Sequence, residues 1–336
     1  MELMESGAGA RAGRQTVVFT SYPSFDGSLL GVRVRLISNS PEVLDLAKGV
    51  LDPLSHADPN APSVRLKCWL VDERDSDPDQ VLSSVRFERN EDCFSLQVGV
   101  SSVAADRRRG EAIMQVSRDL LERRAFFQEN LIECVLLFLG SRYRPATMHA
   151  AALSYAGCGV LLTGTNGSGK STLSCACVRA GFRIAAEDIA FIDDGASELV
   201  AWGCGRYLHL LPEACRFFNW LPAADRLTSI KRLNGEEKFR IPIDVIREGA
   251  SLSRTRLCAV ALLNRTSGNE TRIDDADPAA VRKSLTGIEG DPPVCRPAME
   301  RAADRLLALP LIRLKVGDDP GSTALLFRTW IESRFR

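Results

Sequence analysis

Between Val160 and Leu173 the chain reads Val-Leu-Leu-Thr-Gly-Thr-Asn-Gly-Ser-Gly-Lys-Ser-Thr-Leu: an apolar run, a glycine-rich turn and a helix start. Gly164, Gly169, Lys170 and Ser171 fill the spacing G-x-x-x-x-G-K-[ST] of a P-loop. The residue types dictate the chemistry. Glycines let successive backbone N–H groups curl around phosphate oxygens, and the helix that follows aims its positive end at the same place. The stretch Gly164, Thr165, Asn166, Gly167, Ser168, Gly169, Lys170, Ser171 and Thr172 is therefore the expected nucleotide loop. Lys170 would reach the β- and γ-phosphates, and the Ser171 hydroxyl would hold Mg²⁺. The implied ligand is a nucleoside triphosphate, ATP or GTP.

The fate of the γ-phosphate depends on other residues. Glu187 and Asp188 interrupt the strand-like run from Gly181 to Ile192. A carboxylate at a strand end can hold Mg²⁺ directly or through water, or take the proton of an attacking hydroxyl or water. Neighbouring side chains on a strand point to opposite sides, which can turn one of the two acids elsewhere; both Glu187 and Asp188 are candidate metal ligands, and Asp188 is also the candidate base. His149 opens the strand before the loop strand, and Lys238 and Arg240 share one face of a later strand, with Phe239 between them. Arg206 stands beside apolar residues. Each of these bases alone reads as an ordinary structural or solvated residue. Arg206 and Lys238 are nonetheless kept as candidate nucleotide-binding groups.

Composition narrows the class. The 336 residues suggest two domains with a sizeable core. Lys plus Arg and Asp plus Glu both total 43, so no global field favours nucleic acid or an anionic membrane. The one basic block, Arg107-Arg108-Arg109, lies beside Asp106 and Glu111 and reads as a solvated helix entry rather than a binding patch. Ten cysteines without a C-x-x-C pair, and three separated histidines, show no zinc spacing and suit reduced thiols in the cytosol. The polar, acidic N-terminus argues against a signal peptide, and the apolar piece Leu131–Gly140 is too short to span a bilayer. A cytoplasmic protein follows.

Residues 1–14 are expected to be a disordered leader. Residues 15–145 are expected to form an α+β lobe, with strands at Val17–Thr20, Val32–Ile37, Val64–Val71, Val81–Arg89 and Phe94–Val98. A polar loop is expected over Asp72–Gln80. Ser40-Pro41-Glu42 reads as a helix start, the helix ending near Leu51. Glu111–Arg142 is expected to be helical, broken at most once. Residues 146–336 are expected to be the nucleotide domain. It has strands at His149–Leu153, Val160–Thr163, Gly181–Ile192, Val200–Trp202, Arg206–Leu210, Glu236–Ile243, Leu257–Leu263 and Leu311–Val316. Its helices after the loop helix are Pro212–Leu221, Pro297–Ala308 and Gly321–Ser333.

These pieces together resemble the catalytic domain of HPr kinase/phosphorylase and its relatives. In that family a histidine precedes the P-loop by a fixed strand-turn-strand, and a segment R-[LI]-x-A-[DE]-D follows it. Here fourteen residues separate His149 from Gly164, and Arg183-Ile-Ala-Ala-Glu187-Asp188 matches the segment. The resemblance implies an α/β, PEP-carboxykinase-like P-loop domain. In it Asp188 is the catalytic base, Glu187 stands near the metal, His149 lies beside the phosphates and Lys238 occupies a loosely matching basic position. The E-I-R-G-L-G-like motif of bifunctional members is missing; the comparable region reads Trp202-Gly-Cys-Gly-Arg206-Tyr. Phosphorolysis, a hexamer and HPr as substrate are therefore not carried over, and a homo-oligomer of some size is left open. The N-terminal lobe looks more like the short β-rich leader of divergent relatives, some of which phosphorylate lasso peptides. The resulting expectation is a kinase acting on a Ser or Thr hydroxyl of a peptide or small protein. The alternatives are a kinase for small-molecule hydroxyls, and an ATPase or nucleotide switch.

Overall fold

Alternation of buried and exposed side chains builds the first sheet of this computed structural model, which describes residues 21–57, 60–75, 85–195, 198–231, 235–265, 268, 270–286 and 295–335. The strands are β1 (Ser24–Leu29), β2 (Val32–Ser38), β3 (Ser63–Val71), β4 (Arg86–Arg89), β5 (Cys93–Val98), β6 (Ser101–Asp106) and β7 (Glu111–Ser117). They lie in the order β1-β2-β3-β7-β6-β5-β4, with β3 parallel to both its neighbours. In β2, Val32, Val34 and Leu36 are buried while Arg33 and Arg35 face water, as period two requires. The helix Pro41–Lys48 starts as its sequence predicts, with Ser40 Oγ accepting from Val43 N at 3.4 Å and proline in the first turn; it stops three residues short of Leu51. The strand expected at Val17–Thr20, the leader, and parts of the Asp72–Gln80 and Val81–Arg89 segments lie outside the described residues.

One expectation is overturned. Glu111–Ser117 is not the start of a long helix but strand β7, inside the sheet between β3 and β6. Ala112, Met114 and Val116 are buried and Ile113 is 51% exposed, a period of two that a helical reading of Ile113 and Val116 obscures. The helix begins one residue later, because Ser117 Oγ accepts from Leu120 N at 3.2 Å. It then runs as Arg118–Glu122, Arg124–Phe126, a π-helical stretch Phe127–Glu133 and Cys134–Gly140.

The second half contains β8 (Ala146–Tyr155), β9 (Cys158–Thr163), β10 (Arg183–Ala186), β11 (Ile189–Asp193), β12 (Val200–Trp202), β13 (Tyr207–Leu210), β14 (Thr228–Lys231), β15 (Glu237–Pro242), β16 (Arg254–Arg265), β17 (Arg272–Asp275) and β18 (Leu311–Val316). Eight of them form a mixed sheet, in which β9 lies between β8 and β16, and β16 pairs in parallel with β18. Strands β13, β15 and β14 form a separate small sheet. Helices Lys170–Arg179, Pro278–Thr286, Arg296–Leu306 and Pro320–Phe335 pack on the main sheet. The helix expected at Pro212–Leu221 is only a 3-10 stretch, Pro212–Phe217; its single buried residue, Ala214, offers no apolar stripe. The architecture is a mixed α/β fold with several sheets.

Three apolar cores result. One fills the N-terminal sheet and helical segment, with Phe191 and Trp202 reaching in from the second half. Another lies under the helix Lys170–Arg179 and includes Phe182, Phe327 and Ile331. The third joins β8 to the helix Arg296–Leu306. Arg144 clamps the halves together: its guanidinium lies 4.2 Å above the Trp202 ring, and its Nε donates to Leu30 O at 2.7 Å. Among the described residues no helix is long and apolar enough to cross a membrane.

Two predictions follow from this packing. Gly31 turns the β1–β2 hairpin at φ +74°, and a Cβ there would meet Trp202 Cη2 at 2.6 Å. Gly31→Ala is expected to lower stability by about 2 kcal/mol or more, read from urea unfolding; an unchanged midpoint would show that the halves do not depend on this contact. Burial pushes the Cys68 thiol up to about 12, and also raises Cys175 and Cys177, whereas Cys93 is exposed. At pH 8 iodoacetamide should label Cys93 readily and these three only after unfolding, as peptide mass mapping would reveal.

Candidate functional site

Strand β9 is buried along its whole length and is held on both sides, so the point where it releases the chain at Gly164 is fixed. The loop then turns into the helix Lys170–Arg179 through Gly167 at φ +76° and Gly169 at φ +93°. A Cβ at either glycine would meet nothing within 4 Å, so backbone conformation, not crowding, requires glycine there and the hollow above stays open. Thr165, Asn166 and Gly167 are exposed at the rim, and Ser168 N donates back to Thr165 O at 3.1 Å. Ser168 is buried with an unpartnered Oγ, and Thr172 sits half-buried in the first helical turn.

Lys170 is buried and folds back along the loop, donating to Gly164 O at 2.8 Å and Thr165 O at 3.3 Å. Burial lowers its pKa; the charges of Asp188 and Glu187 partly restore it, and that of Lys238 lowers it again. Lys238 also pairs with Glu236 at 2.9 Å.

Glu187 and Asp188 occupy a two-residue break between β10 and β11, and both of these strands pair with β8. The pairs Ala186↔Ala152 and Ile189↔His149 flank the break. Released from the ladder, the two carboxylates diverge. Glu187, 7% exposed, accepts from Ser171 Oγ at 2.6 Å. Asp188, with a side chain 44% exposed, places Oδ1 3.2 Å from His149 Nδ1. That histidine also lines a cavity of about 860 Å³ beside Gly164, Thr165 and Asn166, a volume in the range of small-molecule sites.

Behind Glu187 runs a buried chain of polar contacts that the sequence reading missed. Glu187 Oε2 is 3.2 Å from His209 Nδ1, and His209 Nε2 is 2.8 Å from Glu129 Oε2. Carboxylates only accept, so both contacts are hydrogen bonds when both ring nitrogens carry protons. Arg240 forms an ion pair with Glu129, donates to Gln128 Oε1 at 3.1 Å and lies over the Tyr207 ring. His209 and Arg240 face each other across β13 and β15. In the sequence His209 looks isolated because Glu129 precedes it by 80 positions; the available signal was a histidine between two apolar neighbours, Leu208 and Leu210.

Arg206 does not join the cluster. Its Nη2 donates to Asp52 Oδ1 at 2.7 Å, both side chains largely buried, so the nearest counter-charge it takes belongs to the N-terminal half. His149, the loop, Lys170, Ser171, Glu187 and Asp188 converge, whereas Lys238 takes Glu236 as its partner. Ser171 Oγ and Glu187 offer hard oxygen donors of the kind Mg²⁺ prefers. No group of three or more His, Cys, Asp or Glu among the described residues forms a metal cage.

No family model matches the chain, and neither does any curated protein. Among solved structures it is similar to the Hpr(Ser) kinase/phosphatase from Coxiella burnetii, with 14% identity and a TM-score of 0.29, over 56% of this chain and 94% of that one. A likeness of this size is a distant structural relationship and assigns no activity.

The buried chain predicts a cost. His209→Ala would leave Glu187 and Glu129 facing each other without the ring between them, and is expected to destabilise the fold by about 3–5 kcal/mol in urea. A loss below about 1 kcal/mol would mean that the carboxylates do not need the histidine.

Proposed function

We propose that the chain is an ATP-dependent kinase that transfers the γ-phosphoryl group to a hydroxyl, that of a Ser or Thr side chain of a peptide or small protein. The observation carrying this reading is the divergence of two acids from one backbone break: buried Glu187 toward Ser171, and half-exposed Asp188 toward His149, a residue that itself lines the cavity beside the loop. One acid thus faces the metal side of the loop, and the other faces the side from which an acceptor can approach.

In this mechanism Lys170 leaves the loop carbonyls and takes the β- and γ-phosphate oxygens, while the loop N–H groups hold the rest of the triphosphate. Mg²⁺, held by Ser171 and Glu187, supplies neutralising charge when bound. Asp188 accepts a hydrogen bond from the acceptor hydroxyl and orients its oxygen in line with the γ-phosphorus. As the new O–P bond forms, the bond to the β-phosphate oxygen breaks, ADP leaves, and the hydroxyl proton passes to Asp188. His149 holds the Asp188 carboxylate at 3.2 Å, and the charge of Lys238 acts on Lys170. Asp188 stands at the surface, where a side-chain hydroxyl on a peptide can reach it.

The test is γ-labelled ATP with Mg²⁺, with and without a peptide library or lysate from the protein's own cell. Label should appear on a peptide, and Asp188→Asn should slow transfer by about 10²–10⁴-fold while leaving nucleotide affinity nearly intact. Lys170→Ala should weaken both. Transfer by Asp188→Asn at the wild-type rate would remove Asp188 from the mechanism. Label on a small molecule would change the acceptor class, and release as free phosphate regardless of acceptor would establish an ATPase.

A further inference from the structure

The arginine run does not enter a helix. Arg107, Arg108 and Arg109 occupy the turn between β6 and β7. Arg108 pairs with Asp92 at 2.7 Å and Arg109 with Asp106 at 3.5 Å. Arg107 differs: it is only 7% exposed, and its guanidinium meets a thiol, Nη1 lying 3.6 Å from Cys295 Sγ. Among the described residues no carboxylate pairs with it. Among the described residues, this buried cation has lost its hydration without gaining a counter-charge.

The surroundings add positive charge. Arg107 and Arg108 line a cavity of about 340 Å³ together with Arg142 and Arg301, against one carboxylate, Asp92. Arg142 is exposed and approaches Arg107 O at 3.5 Å; Arg301 leans 3.6 Å toward Asp194. The helix Arg296–Leu306 starts at this wall, where Pro297 and Ala298 line the cavity, and its N-cap residue Cys295 supplies no side-chain hydrogen bond. Pro297 has no backbone N–H, so of the two lining residues only Ala298 can offer its amide; the helix dipole adds to it in favouring an anion.

We propose that this cavity binds a phosphate group, as inorganic phosphate or as the monoester of a small molecule, through Arg107, Arg108, Arg142 and the start of the helix Arg296–Leu306. Guanidinium forks match tetrahedral oxyanions in geometry and charge. The walls come from both halves of the chain: the β6–β7 turn and the segment Ser141–Pro145 on one side, the helix on the other. A bound phosphate bridges them, and Pro145 leads directly into β8, the strand that carries His149.

The experiment is calorimetric titration of the full chain carrying Lys170→Ala, which weakens phosphate binding at the glycine-rich loop, with inorganic phosphate and, separately, with glycerol 3-phosphate. One phosphate per chain and a raised melting temperature are expected, and the tighter of the two ligands identifies the source. Adding Arg108→Gln and Arg142→Gln, both exposed and neutral to the core, should weaken binding by about tenfold or more. Arg107→Gln should remove it where the circular dichroism spectrum shows an intact fold. Absence of binding in the Lys170→Ala chain, or equal affinity after the two exposed arginines are replaced, would overturn the site.

Discussion

The site depends on one buried line of hydrogen bonds and ion pairs, from Ser171 and Glu187 through His209 to Glu129 and Arg240. Each member has an oppositely charged or hydrogen-bonding neighbour, the condition on which buried charge is tolerated. Its members come from the loop helix, the break between β10 and β11, two strands of the small sheet, and the helical segment of the N-terminal half. None of these elements can shift alone without stranding a charge. The acid beside the loop is therefore positioned by residues far from it in the chain.

The second constraint is the backbone of β8. It pairs with β9, which delivers the loop, and with β10 and β11, which deliver the acids, while itself carrying His149. One strand thus sets the separation between the loop, Asp188 and the histidine. The two-residue break gives Glu187 and Asp188 different environments, one buried and one open to water, although they are adjacent. Alternation on a regular strand would send them apart too, but the ladder itself ends at these residues.

What the sequence made legible was local. The loop, the capped helix at Ser40, the alternating strand β2 and the buried strands β9 and β18 each carry their signal within a dozen residues. The π-helical stretch and the strand β7 were hidden, since Ile113, Val116 and Leu120 fit a helical stripe until the sheet neighbours are known. Non-local pairing was also invisible. Nothing near His209 announces Glu129, and nothing near Arg206 announces Asp52. Arg107 reads as solvated from its own neighbours, yet folding seals it against Cys295, 188 positions away.

The π-helical stretch Phe127–Glu133 has a consequence for how this chain can vary over evolutionary time. It makes Gln128, Glu129 and Asn130 three successive buried polar residues within a segment that also supplies Phe127, Leu131 and Ile132 to the core. In an α-helix each residue advances the side-chain direction by about 100°, and a π-turn accommodates one extra residue locally. Deleting one residue here would restore ordinary pitch, let the apolar stripe re-form and swing Glu129 off His209. Related chains that keep Glu187 and His209 must then also keep the length of this turn, whereas surface loops are free to grow or shrink.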